Sequence, residues 1–312
     1  MSQTLSAAAF QTFATLLKSR SGLVIGPDKL YLLETRLAPI LKREGLRDLA
    51  TLADRLRASG AEPLIREVVE AMTTNESFFF RDDKPFQHFR TQALPRLLAG
   101  RPAGAPLRVW SAASASGQEA YSVAMIVAEC RPSIGDRRVD IIGTDLARDQ
   151  VTRARDGLYT QFEVQRGLPV QMLMRYFRKE EAGWRISEAI RSMVQFREWN
   201  LLADLRPLGQ FDVVFCRNVL IYFDQATKAR VLDAVAQQMP GDGMLYLGGA
   251  ETVLGITSRF TPLASERGVY GLTGSAPVPR GFADEQARFA PEILGRAWSP
   301  ANMSYKRAGS SD

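Results

Sequence analysis

The chain has 312 residues, of which 46% are hydrophobic and 24% charged, and a net charge of +6. That balance supports one large or two modest globular domains with a core that needs no disulfide or metal. A single histidine, His88, and two distant cysteines, Cys130 and Cys216, argue against a metal site and against a histidine-based catalytic triad, and this sparse cysteine usage fits a reducing cytoplasm.

The opening residues, MSQTLSAAAFQTFATLLKSR, lack the basic start and long apolar run of a signal peptide. No stretch of 18 apolar residues follows anywhere, so no membrane insertion is expected. Residues 1–73 read as a small helical domain. Phe10, Phe13, Leu16 and Leu17 recur at helical spacing, as do Leu30, Leu33, Leu37, Ile40 and Leu41. Pro27 and Asp28 suit a helix start, and Gly45 after Lys42 and Arg43 suits its end. Shorter helices are predicted over 48–58 and 62–72. Residues 74–105 form a linker and connecting helix, on which His88 reads as a surface or packing residue.

From 106 to 274 the pattern changes. Short apolar runs at 107–112, 139–145, 211–218 and 243–249 alternate with helical segments at 117–130, 147–155 and 225–239. Such alternation predicts βαβ units and a parallel sheet. Within 176–198, Trp184, Ile186, Val194 and Phe196 partly alternate with polar residues, which predicts an inserted antiparallel β-subdomain. The segment RFTPLASERGVYGLT predicts a further antiparallel pair turning at Glu266–Gly268. Residues 275–312, with Pro277, Pro279, Pro291 and Pro300 and no sustained period, are expected to be a disordered tail.

In an open parallel sheet, ligands bind beyond the carboxyl ends of the strands near the switch point. The residues after each strand are therefore the candidates. The first strand leads into SAASASGQEAYS, a tract of small residues ending at Gly117. It lacks GxGxxG, so a pyrophosphate cradle is poorly supported, whereas a ligand without phosphates such as S-adenosylmethionine needs less from this loop. Glu119 could reach a polar group of that ligand or simply complement the helix dipole. Asp145 ends the second strand, where a carboxylate accepts both hydroxyls of a ribose, or caps a helix. Arg217 and Asn218 follow the third strand in CRNVLIYF. That sequence differs from the Asn/Asp-Pro-Pro-aromatic turn of nucleic-acid amino-methyltransferases. Ahead of the sheet, TTNESFFFRDDKPF brings Asn75, Ser77 and Arg81 around three phenylalanines. An arginine there could pair with a carboxylate through a bidentate fork.

Together TNESFFFR, RVWSAASASGQEAYSVAM, IIGTD, the pair Asn200–Leu201 and CRNVLIYF resemble the CheR-type chemotaxis receptor methyltransferases, over about residues 10–273. The resemblance implies an α/β, Rossmann-like S-adenosylmethionine-dependent methyltransferase domain with an N-terminal all-helical domain and an inserted antiparallel β-subdomain. It implies that Asn75, Ser77, Arg81, Glu119, Asp145, Asn200, Leu201, Arg217 and Asn218 bind S-adenosylmethionine and its product S-adenosylhomocysteine. Arg81 and Tyr222 look like the residues that position the substrate.

The implied reaction esterifies glutamate side chains on the cytoplasmic helical bundle of methyl-accepting chemotaxis receptors. The enzyme would then be a cytoplasmic monomer without metal, membrane insertion or a nucleic-acid partner. Arg36, Lys42, Arg43 and Arg47 are candidates to face the receptor. Two departures from the family pattern stand out. The first loop lacks the usual Cys or extra Gly, and the hairpin loop RKEEAGWR is short, which is similar to members that do not grip a C-terminal receptor pentapeptide. Rival readings are a nucleic-acid methyltransferase, favoured by the basic charge, and a non-catalytic adaptor that senses the cofactor.

Overall fold

The computed structural model describes residues 5–263 and 267–274. The turn expected at Glu266 and the tail expected from 275 onward lie outside those residues, as a whole or in part.

Four helices build the N-terminal region: α1 (Ala7–Ser21), α2 (Leu30–Glu44), α3 (Leu49–Leu56) and α4 (Glu62–Met72). Their boundaries are chemical. Ser6 caps α1, Asp48 caps α3, and Gly22 and Gly45 end α1 and α2 in the left-handed conformation. Pro27 opens a short 3-10 turn, Pro27–Lys29, that runs into α2. The periodic residues face inward: Phe13, Leu17, Leu33, Leu37, Leu52, Val68 and Met72 are all essentially fully buried together. Arg36 does not face outward as expected. Its guanidinium donates to the carbonyls of Met72 and Thr73 at 2.7 and 2.9 Å and to Thr74 Oγ1 at 3.0 Å. It thereby ties α2 to the chain leaving α4. Arg43 pairs with Glu44 and Glu67, and Arg47 with Asp48.

A helical run from Lys84 to Gly100, wound more widely over Phe89–Ala93, connects to the sheet. The strands are β1 (Leu107–Ala112), β2 (Val139–Asp145), β3 (Leu158–Tyr159), β4 (Phe177–Glu180), β5 (Gly183–Ile186), β6 (Val194–Glu198), β7 (Val213–Cys216), β8 (Met244–Leu247), β9 (Phe260–Pro262) and β10 (Val269–Leu272). The main sheet has seven strands in the order β6-β2-β1-β7-β8-β10-β9. The first five run parallel, and β10 and β9 close the edge antiparallel. Every residue of β7 and β8 is buried, as a strand covered on both faces requires. Separate hydrophobic clusters cover the two faces. Phe86, Phe215 and Tyr246 stack through one of them, with ring centroids 5.7 and 4.5 Å apart. His88 packs there too, bonded to the Tyr246 hydroxyl at 2.8 Å.

The alternation over 176–198 has a different cause from the one expected. Only β4 and β5 pair as a hairpin, and their third strand is β3, at residues 158–159. Val194–Glu198 instead lies parallel to β2 as an edge of the main sheet. An edge strand with one covered face alternates just as a solvated hairpin does, so the period alone could not separate them. Phe196 points inward from that edge and packs against Gly117, where a Cβ would stand 2.8 Å from its ring. Gly117 also has φ of 93°, so a side chain is disfavoured there twice over.

Candidate functional site

β1 lies between β2 and β7, so the order of the sheet reverses there and a crevice opens beyond the carboxyl ends. A cleft of ≈ 980 Å³, its open mouth included, occupies this position. Asn75, Ser77, Arg81, Glu119, Asp145, Asn200, Leu201, Arg217, Asn218 and Tyr222 all line it. The structure therefore brings together every site residue expected from sequence.

Asp145 ends β2 and is buried. Its Oδ2 accepts from the backbone N–H of Ala115 at 2.8 Å and its Oδ1 from that of Ala147 at 2.9 Å. The helix cap is Ala147, so Asp145 is not the N-cap. Burial pushes its carboxyl above the usual range, against the pull of the N–H bonds. A carboxylate offers about four acceptor positions, so Asp145 retains acceptor capacity toward the cleft that it lines.

Glu119, in the first turn of helix Gln118–Glu129, accepts from Ser111 Oγ at 2.8 Å and from Arg217 Nη1 at 3.1 Å. Burial raises its carboxyl too, and the facing Arg217 opposes that shift. The side chain of Arg217 is only 1% exposed. Its Nη2 donates to the Arg81 carbonyl at 2.8 Å and to Asp82 at 2.6 Å. Arg217 is thus committed to holding Glu119 and the Arg81 segment in place.

Of the three phenylalanines, Phe79 and Phe80 are core. Phe78 lies beneath two guanidiniums, those of Arg81 at 5.3 Å and Arg166 at 4.2 Å. Arg81 also donates to the Glu76 carbonyl at 3.0 Å. Asn200 is spent as a strut. Its Nδ2 donates to the Arg20 carbonyl at 2.6 Å and its Oδ1 accepts from Leu202 N–H at 2.9 Å.

Among the described residues, those other than glycine with positive φ are Phe80, Asp82, Asp83, Ala113, Ala115 and Asn218, and all belong to segments that border this cleft. For alanine this conformation costs about 1–2 kcal/mol, and such strain collects at ligand sites. Ala113 and Ala115 lie in the loop of small residues whose one glycine is Gly117. The strained turn brings bare backbone to the cleft wall. Ser114 Oγ and Trp199 Nε1 are buried in that wall with no hydrogen-bond partner among the described residues. These features fit a nucleoside-bearing ligand: a carboxylate for its ribose, small residues for close approach, and spare polar groups.

Sequence reasoning missed the contribution of the helical domain. Ser21, the last residue of α1, and Leu23, just beyond its cap, form part of the wall, as do Thr73 and Thr74 after α4. Val24 N–H donates to the Tyr222 carbonyl at 2.9 Å, and Lys18 pairs with Asp224 at 2.6 Å. No local pattern announces these contacts, because they exist only once the domains meet. Also missed was Glu251, just behind the wall. Its position shortly after β8 was a usable signal, by the same strand-end rule that selected Asp145.

No helix among the described residues is long and apolar enough to cross a membrane. Residues 8–73 match the family described as CheR methyltransferase, all-alpha domain, and residues 75–269 match CheR methyltransferase, SAM binding domain. The chain is 37% identical over 264 residues to Chemotaxis protein methyltransferase Cher2 of Pseudomonas putida, an alignment covering 83% of this chain and 96% of that protein. It is 38% identical over 267 residues to Chemotaxis protein methyltransferase 1 of Pseudomonas aeruginosa, covering 84% and 96%. To the Chemotaxis protein methyltransferase of Vibrio parahaemolyticus it is 35% identical over 272 residues, covering 85% and 97%.

Proposed function

Since the chain belongs to the CheR methyltransferase family, we propose that it transfers a methyl group from S-adenosylmethionine to glutamate side chains of methyl-accepting chemotaxis receptors, in the cytoplasm. The observation that carries this reading is the single cleft joining Arg81, Asp145 and Asn218 at the switch point of the sheet.

S-adenosylmethionine supplies an electrophilic methyl group on a good leaving group. The chain must therefore bind, orient and exclude water. Asp145 accepts the ribose hydroxyls with its remaining acceptor capacity. Leu201 and the Asn200 strut wall the base. Glu119, fixed by Ser111 and Arg217, faces the polar end of the amino-acid portion. A glutamate substrate is already ionised at neutral pH, with a reference pKa near 4.3. No general base is needed, which suits a cleft that the one histidine does not line. Arg81 holds one carboxylate oxygen while the other attacks, and the Tyr222 hydroxyl donates a further hydrogen bond. The helical domain adds Ser21 and Leu23 to the cleft wall. Positioning and solvent exclusion of this kind are worth about 7–11 kcal/mol.

Receptor recognition in this reading does not depend on a C-terminal pentapeptide. The support is the hairpin of β4 and β5, where Glu180 pairs directly with Gly183 and leaves a two-residue turn. That turn offers little loop to grip a peptide. Incubation with methyl-labelled cofactor and receptor cytoplasmic fragments tests the proposal. Label should enter the receptor and leave as methanol in mild alkali, with or without the receptor's last five residues. Label that survives alkali, or that enters RNA instead, would overturn it.

A further inference from the structure

Behind the wall that carries Asn218 and Tyr222 sits a carboxylate to which nothing above gives a role. Glu251 is 9% exposed. Its Oε1 accepts from the backbone N–H groups of Val219 at 2.9 Å, Leu220 at 2.7 Å and Ile221 at 3.3 Å. Its Oε2 accepts from Asn218 N–H at 2.8 Å and Gly248 N–H at 2.7 Å. Four successive N–H groups converge on one anion, a nest that a turn of alternating hand creates. Asn218 supplies the turn with φ of 58°. Left unfilled, these buried donors would each lose about 1–3 kcal/mol of hydration without return.

We propose that Glu251 is a positioning residue for methyl transfer: by filling this nest it sets the conformation of Asn218–Tyr222 and so places the Tyr222 hydroxyl and the Asn218 side chain against the reacting groups. The assignment rests on the methyltransferase reading of the cleft. Glu251 is not among the residues that line the cleft. The opposite end of the same loop is fixed independently, through Val24 N–H on the Tyr222 carbonyl. Gly248 completes the knot, since a Cβ there would lie 2.8 Å from both Asn218 Nδ2 and Glu251 Oε2. An amide at 251 retains one acceptor oxygen and turns an NH2 group toward donors, so half of the nest is opposed.

The test uses the full chain and a receptor fragment that the wild type methylates. It reads kcat per cofactor-binding site, the Kd for S-adenosylhomocysteine by calorimetry, and thermal stability. E251Q should lose about 100-fold in kcat per site, the scale of a misplacement near 1 Å, with Kd changed by less than about threefold. E251D keeps both acceptor oxygens and should fall between E251Q and wild type. G248A leaves every charge in place and should lower kcat by about tenfold with Kd again preserved. A merely structural Glu251 would lower melting temperature but leave kcat per site unchanged. Turnover per site within threefold of wild type in both E251Q and G248A overturns the assignment, as does a loss of cofactor affinity that accounts for the whole loss of turnover. A wild type that methylates no receptor fragment overturns the functional reading beneath it instead.

Discussion

The two sides of the cleft are organised differently. On the β2 side, the residue that faces the cleft is also the one that orders the loops. Asp145 accepts from the Ala115 and Ala147 N–H groups and also lines the cleft. On the β7 side these duties are divided. Asn218 and Tyr222 face the cleft, while Glu251 orders their backbone from behind. The difference teaches that recognition and positioning can be separated experimentally. Changes on the β2 side should register in cofactor affinity, and changes on the β7 side in turnover.

The largest expected effect belongs to Arg81, whose carbonyl is held by Arg217 and which therefore sits with the β7 side. Arg81→Ala should lower kcat by about 100- to 1000-fold, the usual cost of losing a fixed donor to a reacting oxygen, with a much smaller change in cofactor Kd. Kinetics with saturating receptor, set beside calorimetry, would break the comparison if both constants moved together. Asp145→Asn comes next and should behave oppositely. It turns an NH2 group toward Ala115 or Ala147 N–H, and the Kd should rise about 10- to 100-fold, as for a hydrogen bond involving a charged group, while kcat at saturating cofactor stays close to wild type. Tyr222→Phe removes one neutral donor and should lower kcat by about 2- to 10-fold without affecting the Kd.

The smallest effect is a control outside the cleft. Asp48 caps α3 through Thr51 N–H at 2.9 Å, and that bond, with the Thr51 hydroxyl and Arg47, lowers its carboxyl to about 2. A carboxyl depressed in the folded state contributes stability above its unfolded value near 3.9, and that contribution is lost as pH falls toward about 2. Asp48→Ala should lower the melting temperature by a few degrees at neutral pH, leave kcat and Kd alone, and shrink its deficit in that acid window. Thermal melts of mutant and wild type across pH 2–5 would check it, and a deficit independent of pH would contradict the cap's charge.

Much of this molecule was legible beforehand. The helices of the first 73 residues follow a 3.6-residue period that maps onto Phe13, Leu17, Leu33 and Leu37 in one core. The runs at 107–112 and 139–145 are β1 and β2 residue for residue. The strand-end rule picked out Asp145 and Asn218 because polar residues there interrupt apolar runs at the one edge where a ligand fits. Motif resemblance supplied Asn200 and Tyr222, and the family itself is now established by matches over most of the chain. The same rule applied to β8 would have reached Glu251. The edge strand β6 was mistaken for a hairpin partner because alternation records how many faces are covered, not which strand lies alongside.

By itself, then, the sequence determined the class of fold, the family and the bounds of the first two strands of the main sheet, since periodicity, composition and local motifs are properties of neighbouring positions. Only the tertiary structure decided that Arg36 and Asn200 are struts, that Ser21 and Leu23 belong to the cleft, and that four N–H groups of one loop meet a carboxylate 30 to 33 residues downstream. Those facts depend on which buried donor finds which acceptor when the layers pack, and no local pattern encodes that pairing.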